Sequence, residues 1–359
     1  MSDTQSTPST RSSLFYSRCP AVPTNSSLAA QLGFLDEEFA LEHDLDIRSE
    51  VIGLDPNPNP PYEDRLWLRH AGHVKAVWAR SKGADTKLVT FSWLEGSYPI
   101  FVRRESGIKT VADLKGKRLA ALKFKDTPFD LLRAQNLKVY DAALGTAGLT
   151  LDDVTLVDVP QEKHNKPEPD SKGTAPKKSV FASIARDLSL WLLNDKVDAV
   201  TARIPADIAE FFDLVEIYDT RNHPDANARV NPGVLRNVVV SGALLRERRD
   251  LVVRILARLL EASDWAREHP EKTLELLAKD LSTTPEALET YFEDLASGIQ
   301  VDATTQQVEA LRTQKDFLLK HGFLDNDFDI DEWVDLTPLQ EARALLAARH
   351  EKEAGVLVS

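Results

Sequence analysis

The sequence predicts an α/β fold of two lobes with a helix-rich C-terminal part. Three observations predict it. Apolar runs of strand length alternate with amphipathic segments of helix length from residue 14 to residue 240, the pattern of parallel sheets joined by crossover helices. The 359 residues are enough for about two domains of ordinary size. From Arg246 onward the chain reads as mostly helical, with Val252, Ile255, Leu256, Leu259 and Leu260 recurring at helical spacing.

The elements follow in chain order. Residues 1–11 are rich in Ser and Thr and read as a disordered tail. Leu14-Phe15-Tyr16-Ser17 is a first strand that stops at Cys19-Pro20. Thr24, Asn25, Ser26 and Ser27 offer N-caps for one helix through Leu28, Ala29, Leu32 and Leu35, continuing over 37–43. Leu45 to Leu54 reads as a second strand. Pro56, Pro58, Pro60 and Pro61 make 55–61 a loop, because proline fixes φ and removes an N–H donor. Arg69-His70-Ala71-Gly72-His73 opens a helical run to about Arg80. Strands are expected at Lys87–Trp93 and Tyr98–Val102. A short helix, a stop at Gly116 and a strand are expected over 108–122. Pro128–Leu144 reads as a helix with Gly145 as its C-cap. Val154–Val159 and Val197–Ala202 read as strands, 161–178 as a loop, and Val180–Leu193 and Pro205–Phe212 as helices. Val238-Val239-Val240 is a last strand. Thr283-x-x-Glu286 resembles a capping box, and helices follow at 304–320 and 341–350. The expected division is one discontinuous lobe of 12–100 with 238–359 and a second lobe of 101–237.

Composition excludes several classes. A net charge of −13 argues against broad nucleic-acid binding, which needs a basic footprint, but allows a local basic pocket. The single cysteine, Cys19, rules out an intrachain disulfide. No window approaches the roughly 18 apolar residues of a membrane-spanning helix, and the polar start MSDTQSTPSTRSS lacks the apolar stretch of a secretory leader. A cytoplasmic monomer is expected, with no membrane partner. No phosphate loop, dinucleotide glycine pattern, HExxH or GxSxG occurs, and no motif implies a cofactor.

The chemistry concentrates near the start. Cys19 sits between a strand and a helix start, where unpaired N–H groups favour a thiolate or a bound anion. Against this, a lone cysteine is more often a small buried hydrophobe. Arg69 can hold two oxygens of a sulfinate, sulfonate or carboxylate, or serve as an ordinary ion-pair partner. Gly72 lets backbone approach a ligand and offers an N–H to an oxyanion, or simply relieves a turn. His70 and His73, three apart, would share one helical face, but no third metal ligand stands nearby, so no metal site is expected. Lys123, Lys125, Asp126 and Thr127, and also Arg203, follow strands at the ends where α/β lobes present ligand loops, or are simply solvated.

Pro99-Ile100-Phe101-Val102-Arg103 followed by the segment 108–120, which reads IKTVADLKGKRLA, resembles the type II periplasmic binding proteins of the nitrate, sulfonate and taurine group. Val197-Asp198-Ala199-Val200 resembles a later strand lining their cleft. The resemblance implies a two-lobed clamp. Tyr16-Ser17-Arg18-Cys19-Pro20, then Asn25 and Gly33-Phe34-Leu35, resembles the aromatic sulfinate desulfinases of bacterial dibenzothiophene desulfurisation, which share that fold. The likeness continues through Arg69-x-x-Gly72, Phe101-Val102-Arg103, Trp265-Ala266-Arg267-Glu268-His269 and Gln314-x-x-Phe317-Leu318-Leu319, and covers most of the chain. It implies that Cys19 is catalytic and that Arg69 and Gly72 contact the sulfinate. The family also uses a histidine about ten residues ahead of that arginine. Here the region reads Asn57-Pro58-Asn59-Pro60, and His70 is the nearest candidate to act in its place. Ser17 and Arg203 complete the expected contacts to a small anionic organosulfur substrate. Two functions follow: a carbon–sulfur-cleaving desulfinase, or a leaderless solute-binding protein for a sulfonate, sulfinate or carboxylate.

Overall fold

Leu14, Phe15 and Tyr16 are buried on alternating faces of β1 (Ser12–Arg18), as they must be in a strand covered on both sides. The computed structural model describes residues 12–19, 22–42, 45–51, 66–125, 127–161, 180–231 and 233–357. The expected tail at 1–11, the loop at 55–61, Asp126, and nearly all of the loop at 161–178 lie outside them.

The first sheet has the order β2-β1-β3-β10-β4, with β2 at Leu45–Val51, β3 at Leu66–Gly72, β4 at Thr86–Trp93 and β10 at Leu235–Ser241. The second has the order β7-β6-β8-β5-β9, with β5 at Pro99–Arg103, β6 at Arg118–Phe124, β7 at Thr155–Gln161, β8 at Ala199–Thr201 and β9 at Leu214–Asp219. The chain leaves the first sheet after β4 and returns to it with β10. The sheets are mixed rather than parallel throughout. β1 runs parallel to β2 and β3, but β10 runs against β3 and β4, and β5 runs against β8 and β9. β5 and β10, the first strands after each change of sheet, are entered with no α-helix before them among the described residues, so nothing there acts as a crossover to turn them parallel. β9 is absent from the sequence reading because exposed Glu216 and half-buried Tyr218 dilute its apolar run.

Helices cover both sheets. The single helix expected after Cys19 is two, α1 (Asn25–Gln31) and α2 (Phe34–Phe39), because Gly33 between them takes φ 79°, a left-handed conformation that ends α1. A larger correction concerns residues 69–73. Arg69, His70 and Gly72 lie on β3, and α3 (Val74–Ser81) begins only after His73. Burial of β3 on both faces removes the polar–apolar alternation that marks a strand, so its Arg and His read as helix surface. α4 (Leu131–Thr146) runs through Gly145, and Gly148 (φ 68°) takes the left-handed position instead. Later, Thr284 rather than Thr283 is the N-cap, accepting from the Ala287 N–H, with Pro285 at the first helical position.

Two buried clusters hold the first sheet. Phe15, Trp67, Val77, Leu88 and Val239 pack on one face. Leu14, Tyr16, Leu68 and Val240 pack on the other with Leu28 of α1 and with Leu256 and Leu259 of the long helix Arg249–Glu268. Among the described residues, no helix is long and apolar enough to cross a membrane.

Candidate active site

Register brings the chemistry to one end of the first sheet. Ser17 of β1 pairs with Arg69 of β3, so Cys19, just past β1, and Gly72, at the end of β3, lie at the carboxyl ends of parallel strands. Open α/β sheets bind ligands there. β10 runs the other way and adds its first residues to the same end, with Arg236 opposite Gly72.

Cys19 is half-buried. The N–H groups of α1 that were expected to face it are taken up internally. Thr24 Oγ1 accepts from the Ser27 N–H at 3.3 Å, and the Ser26 N–H donates to His70 Nδ1 at 3.4 Å. Asn25 fixes the helix start by donating to Ser263 Oγ at 2.5 Å. The cations at this strand end are guanidiniums. Arg69 has its pKa lowered by burial, opposed by the charge of Cys19, and its Nη1 donates to the Gly72 carbonyl at 3.1 Å. Arg236 is fully buried; burial pushes it down to about 10, opposed by Tyr98 and Cys19.

His70 and His73 do not share a helical face. His70 is fully buried on β3, and burial, with Arg236 and Arg69 adding to it, pushes it down to about 3. Its Nδ1 accepts from Ser26, so the proton of the neutral ring sits on Nε2, which has no hydrogen-bond partner among the described residues. His70 is thus built to donate through Nε2, and its other nitrogen is already engaged as an acceptor. His73 is the N-cap residue of α3. Its Nδ1 donates to the Leu235 carbonyl at 2.8 Å, and burial pushes it down to about 4. It ties α3 to β10. No group of three or more metal-ligating side chains occurs among the described residues.

These two histidines make stability depend on pH. Their folded values, about 3 and about 4, lie below the ordinary 6.5, so the unfolded chain binds the protons first. The stability they contribute is complete above pH 6.5 and is lost as pH falls through the folded values. His70→Asn is expected to reduce the slope of unfolding free energy against pH by about 1.4 kcal/mol per pH unit between about pH 4.5 and 6. Urea titrations across that range measure it; an unchanged slope means that His70 is not buried neutral.

The other sequence candidates divide. Ser17 is buried on β1, and its Oγ has no partner among the described residues. Arg203 follows β8 and is held by the first sheet's side of the molecule. Its Nε donates to the Ser97 carbonyl at 3.3 Å, and its guanidinium stacks on Tyr98, Tyr291 and Phe292 at 4.7, 5.0 and 4.8 Å. Arg203 and Arg236 both lie against the Phe292 ring, at 4.8 and 5.5 Å from its centre. Lys123 is paired with Asp158 at 2.5 Å, Lys125 is exposed, and Thr127 donates to the Phe129 carbonyl. None of these three is tied to the Cys19 cluster. Arg236 is the residue that sequence reasoning missed. Its one signal was a charged residue opening the apolar run Val238-Val239-Val240.

A thiol, a half-buried guanidinium and a fully buried one stand at the strand ends of a two-sheet α/β chain, and the solved structures agree on the architecture. The chain has the periplasmic-binding-protein fold: it matches the periplasmic aliphatic sulphonate binding protein SsuA from Escherichia coli with a TM-score of 0.61 and 17% identity, over 90% of this chain and 97% of that one. Residues 70–168 match the family model described as NMT1/THI5 like. More particularly, the chain is 26% identical over 351 residues to 2'-hydroxybiphenyl-2-sulfinate desulfinase of Rhodococcus erythropolis, covering 90% of this chain and 92% of the relative. A cysteine-to-serine mutant of the desulfurization enzyme DSZB in complex with biphenyl-2-sulfinic acid superposes with a TM-score of 0.68 and 22% identity, over 93% of this chain and 99% of that one.

Proposed function

We propose that this protein is a desulfinase that cleaves the carbon–sulfur bond of an organic sulfinate and releases sulfite. The observation that carries the reading is the register that sets Cys19, just past β1, at the same strand end as Gly72 and Arg236, with Arg69 reaching that end through its bond to the Gly72 carbonyl. The desulfinase relative, aligned over nine-tenths of the chain, supports it. A sulfinate is a compact monoanion with two oxygens, which suits a bidentate guanidinium. The bond breaks with its electron pair going to carbon, so carbon must receive a proton. In this reading Cys19 delivers that proton, or attacks sulfur as the thiolate. Water supplies the balance: R–SO2⁻ and H2O give R–H and HSO3⁻. His70, neutral and donating through Nε2, would steady an oxygen rather than shuttle a proton. In this reading the protein works as a cytoplasmic monomer. Residues 12–100 with 238–359 form one lobe and 101–237 the other; the two sheet changes of the chain support this division but move its bounds by a few residues, with β5 opening at Pro99 and β10 at Leu235.

The second reading is a solute-binding protein for the same anion. Two observations favour it: Asn57-Pro58-Asn59-Pro60 where the family carries a histidine, and the likeness to SsuA. Sulfite release from a panel of aryl sulfinates, for the native chain and Cys19→Ser, separates the two. Turnover that depends on Cys19 supports the desulfinase. Tight binding without turnover, indifferent to the substitution, leaves the binding protein.

A further inference from the structure

β10 carries a charge into a strand that is otherwise sealed. Arg236 is 0% exposed, and every other residue of the strand is buried as well. A guanidinium offers five N–H donors. Here Nη1 reaches only the Val234 carbonyl, at 3.5 Å, and Nε and Nη2 have no partner among the described residues. The Phe292 ring lies 5.5 Å from its centre. The titratable groups that face it are Tyr98, Cys19, Arg203 and His70; no described carboxylate is among them. A buried cation without a counter-charge is strongly destabilising, so such a group is retained where something else compensates it.

Its surroundings point toward Cys19. On β3 the residue paired with Arg236 is Gly72, so no β-carbon stands in that row between β10 and the end of β1. On the other side its partner is Ser92 of β4, buried and with its Oγ also unpartnered among the described residues. Neighbouring Asn237, on the opposite face of the strand, is buried with both side-chain polar atoms in the same condition. Hydrogen-bonding capacity thus accumulates in the first residues of β10, at the strand end that holds Cys19 and Arg69. A purely structural arginine would spend its donors on carbonyls or a carboxylate; this one does so with a single long contact.

We propose that Arg236 is a second anion-holding guanidinium, gripping the substrate's acidic head from β10 while Arg69 grips it from β3. That the head is a sulfinate rests on the desulfinase reading; that it is an anion rests on Arg236 itself. Gly72 then serves both arginines: its carbonyl orients Arg69, and its missing side chain opens the row that Arg236 crosses.

The test uses the full chain with Cys19→Ser, so that binding is read without turnover. The probes are biphenyl-2-sulfinate, benzenesulfinate, an alkyl sulfinate and inorganic sulfite, with the neutral methyl sulfone of biphenyl as control, each titrated by calorimetry. Arg236→Met is expected to weaken the best-bound anion about tenfold or more and to leave the sulfone within about twofold, and Arg236→Lys to restore part of the loss. Arg236→Gln, polar and nearer in shape, gives the same readout where the Met variant does not fold. Anion affinity that stays within about twofold, an equal loss for anion and sulfone, or a parent that binds none of the anions each overturns the proposal. Sulfite release by the Cys19-containing chain is followed in parallel. Loss of binding in Arg236→Met without turnover in the native chain retires the desulfinase and keeps the anion site; turnover with binding unmoved does the reverse.

Discussion

Cys19→Ser is expected to lower sulfite release from an aryl sulfinate by roughly 10³-fold or more while changing sulfinate affinity by less than about threefold. The two side chains have nearly the same shape, so the strand end and its arginines keep their places. What changes is acidity. A thiol ionises near neutral pH and a serine hydroxyl does not, so serine serves poorly both as a nucleophile and as a proton donor. Affinity should survive because the groups assigned to the anion are on β3 and β10 rather than on Cys19. Single-turnover sulfite release beside equilibrium binding separates these quantities. A variant that still turns over within tenfold of the native rate removes the cysteine from the mechanism.

Arg69→Met should lower kcat/KM by about 10² to 10³-fold, the range seen when a donor to developing negative charge is removed. Arg69→Lys should recover little of that. The Nη1 bond to the Gly72 carbonyl holds the plane of the guanidinium and leaves its other edge for two oxygens. An ammonium is a point donor and cannot use both contacts with that geometry. The variants are compared by kcat and KM for one sulfinate. A rise in KM alone would mean that Arg69 binds ground state and transition state equally. Full activity in Arg69→Lys would show that charge suffices and that the planar fork has no role.

Much of this site was legible from sequence because it sits where strands stop. Cys19-Pro20 after an apolar run announces a strand end, and Arg69-x-x-Gly72 stands out as a motif even though its secondary structure was misread. That misreading has a physical origin. A charged residue on a strand reads as surface unless its burial is known, and burial of β3 is decided by β1 and β10, which lie far from it in sequence. Arg236 was invisible for the same reason: its pairing with Gly72 is a property of the sheet, and no local pattern encodes it. The acceptance of the Ser26 N–H by His70 was equally beyond reach, so α1 looked like an open anion site when its donors were already engaged. Glycine shows the same limit. Gly33 and Gly148 take positive φ at helix ends, yet by sequence Gly33 reads as lying inside one helix and Gly145 as the cap that Gly148 provides.

The groups assigned to bond breaking, Cys19, Arg69, His70, Gly72 and Arg236, all belong to the first sheet or its margins, and the second sheet contributes Arg203 alone. The stretch from β5 to β9 is one continuous insertion in the sequence. In the desulfinase reading the reacting groups are therefore separable in the chain from the second sheet. A chimera that takes residues 101–219 from a relative should keep sulfite release and change which skeleton is preferred, read as an altered ratio of kcat/KM between two sulfinates. A fold arranged this way can acquire new substrates by recombination without rebuilding its reactive centre.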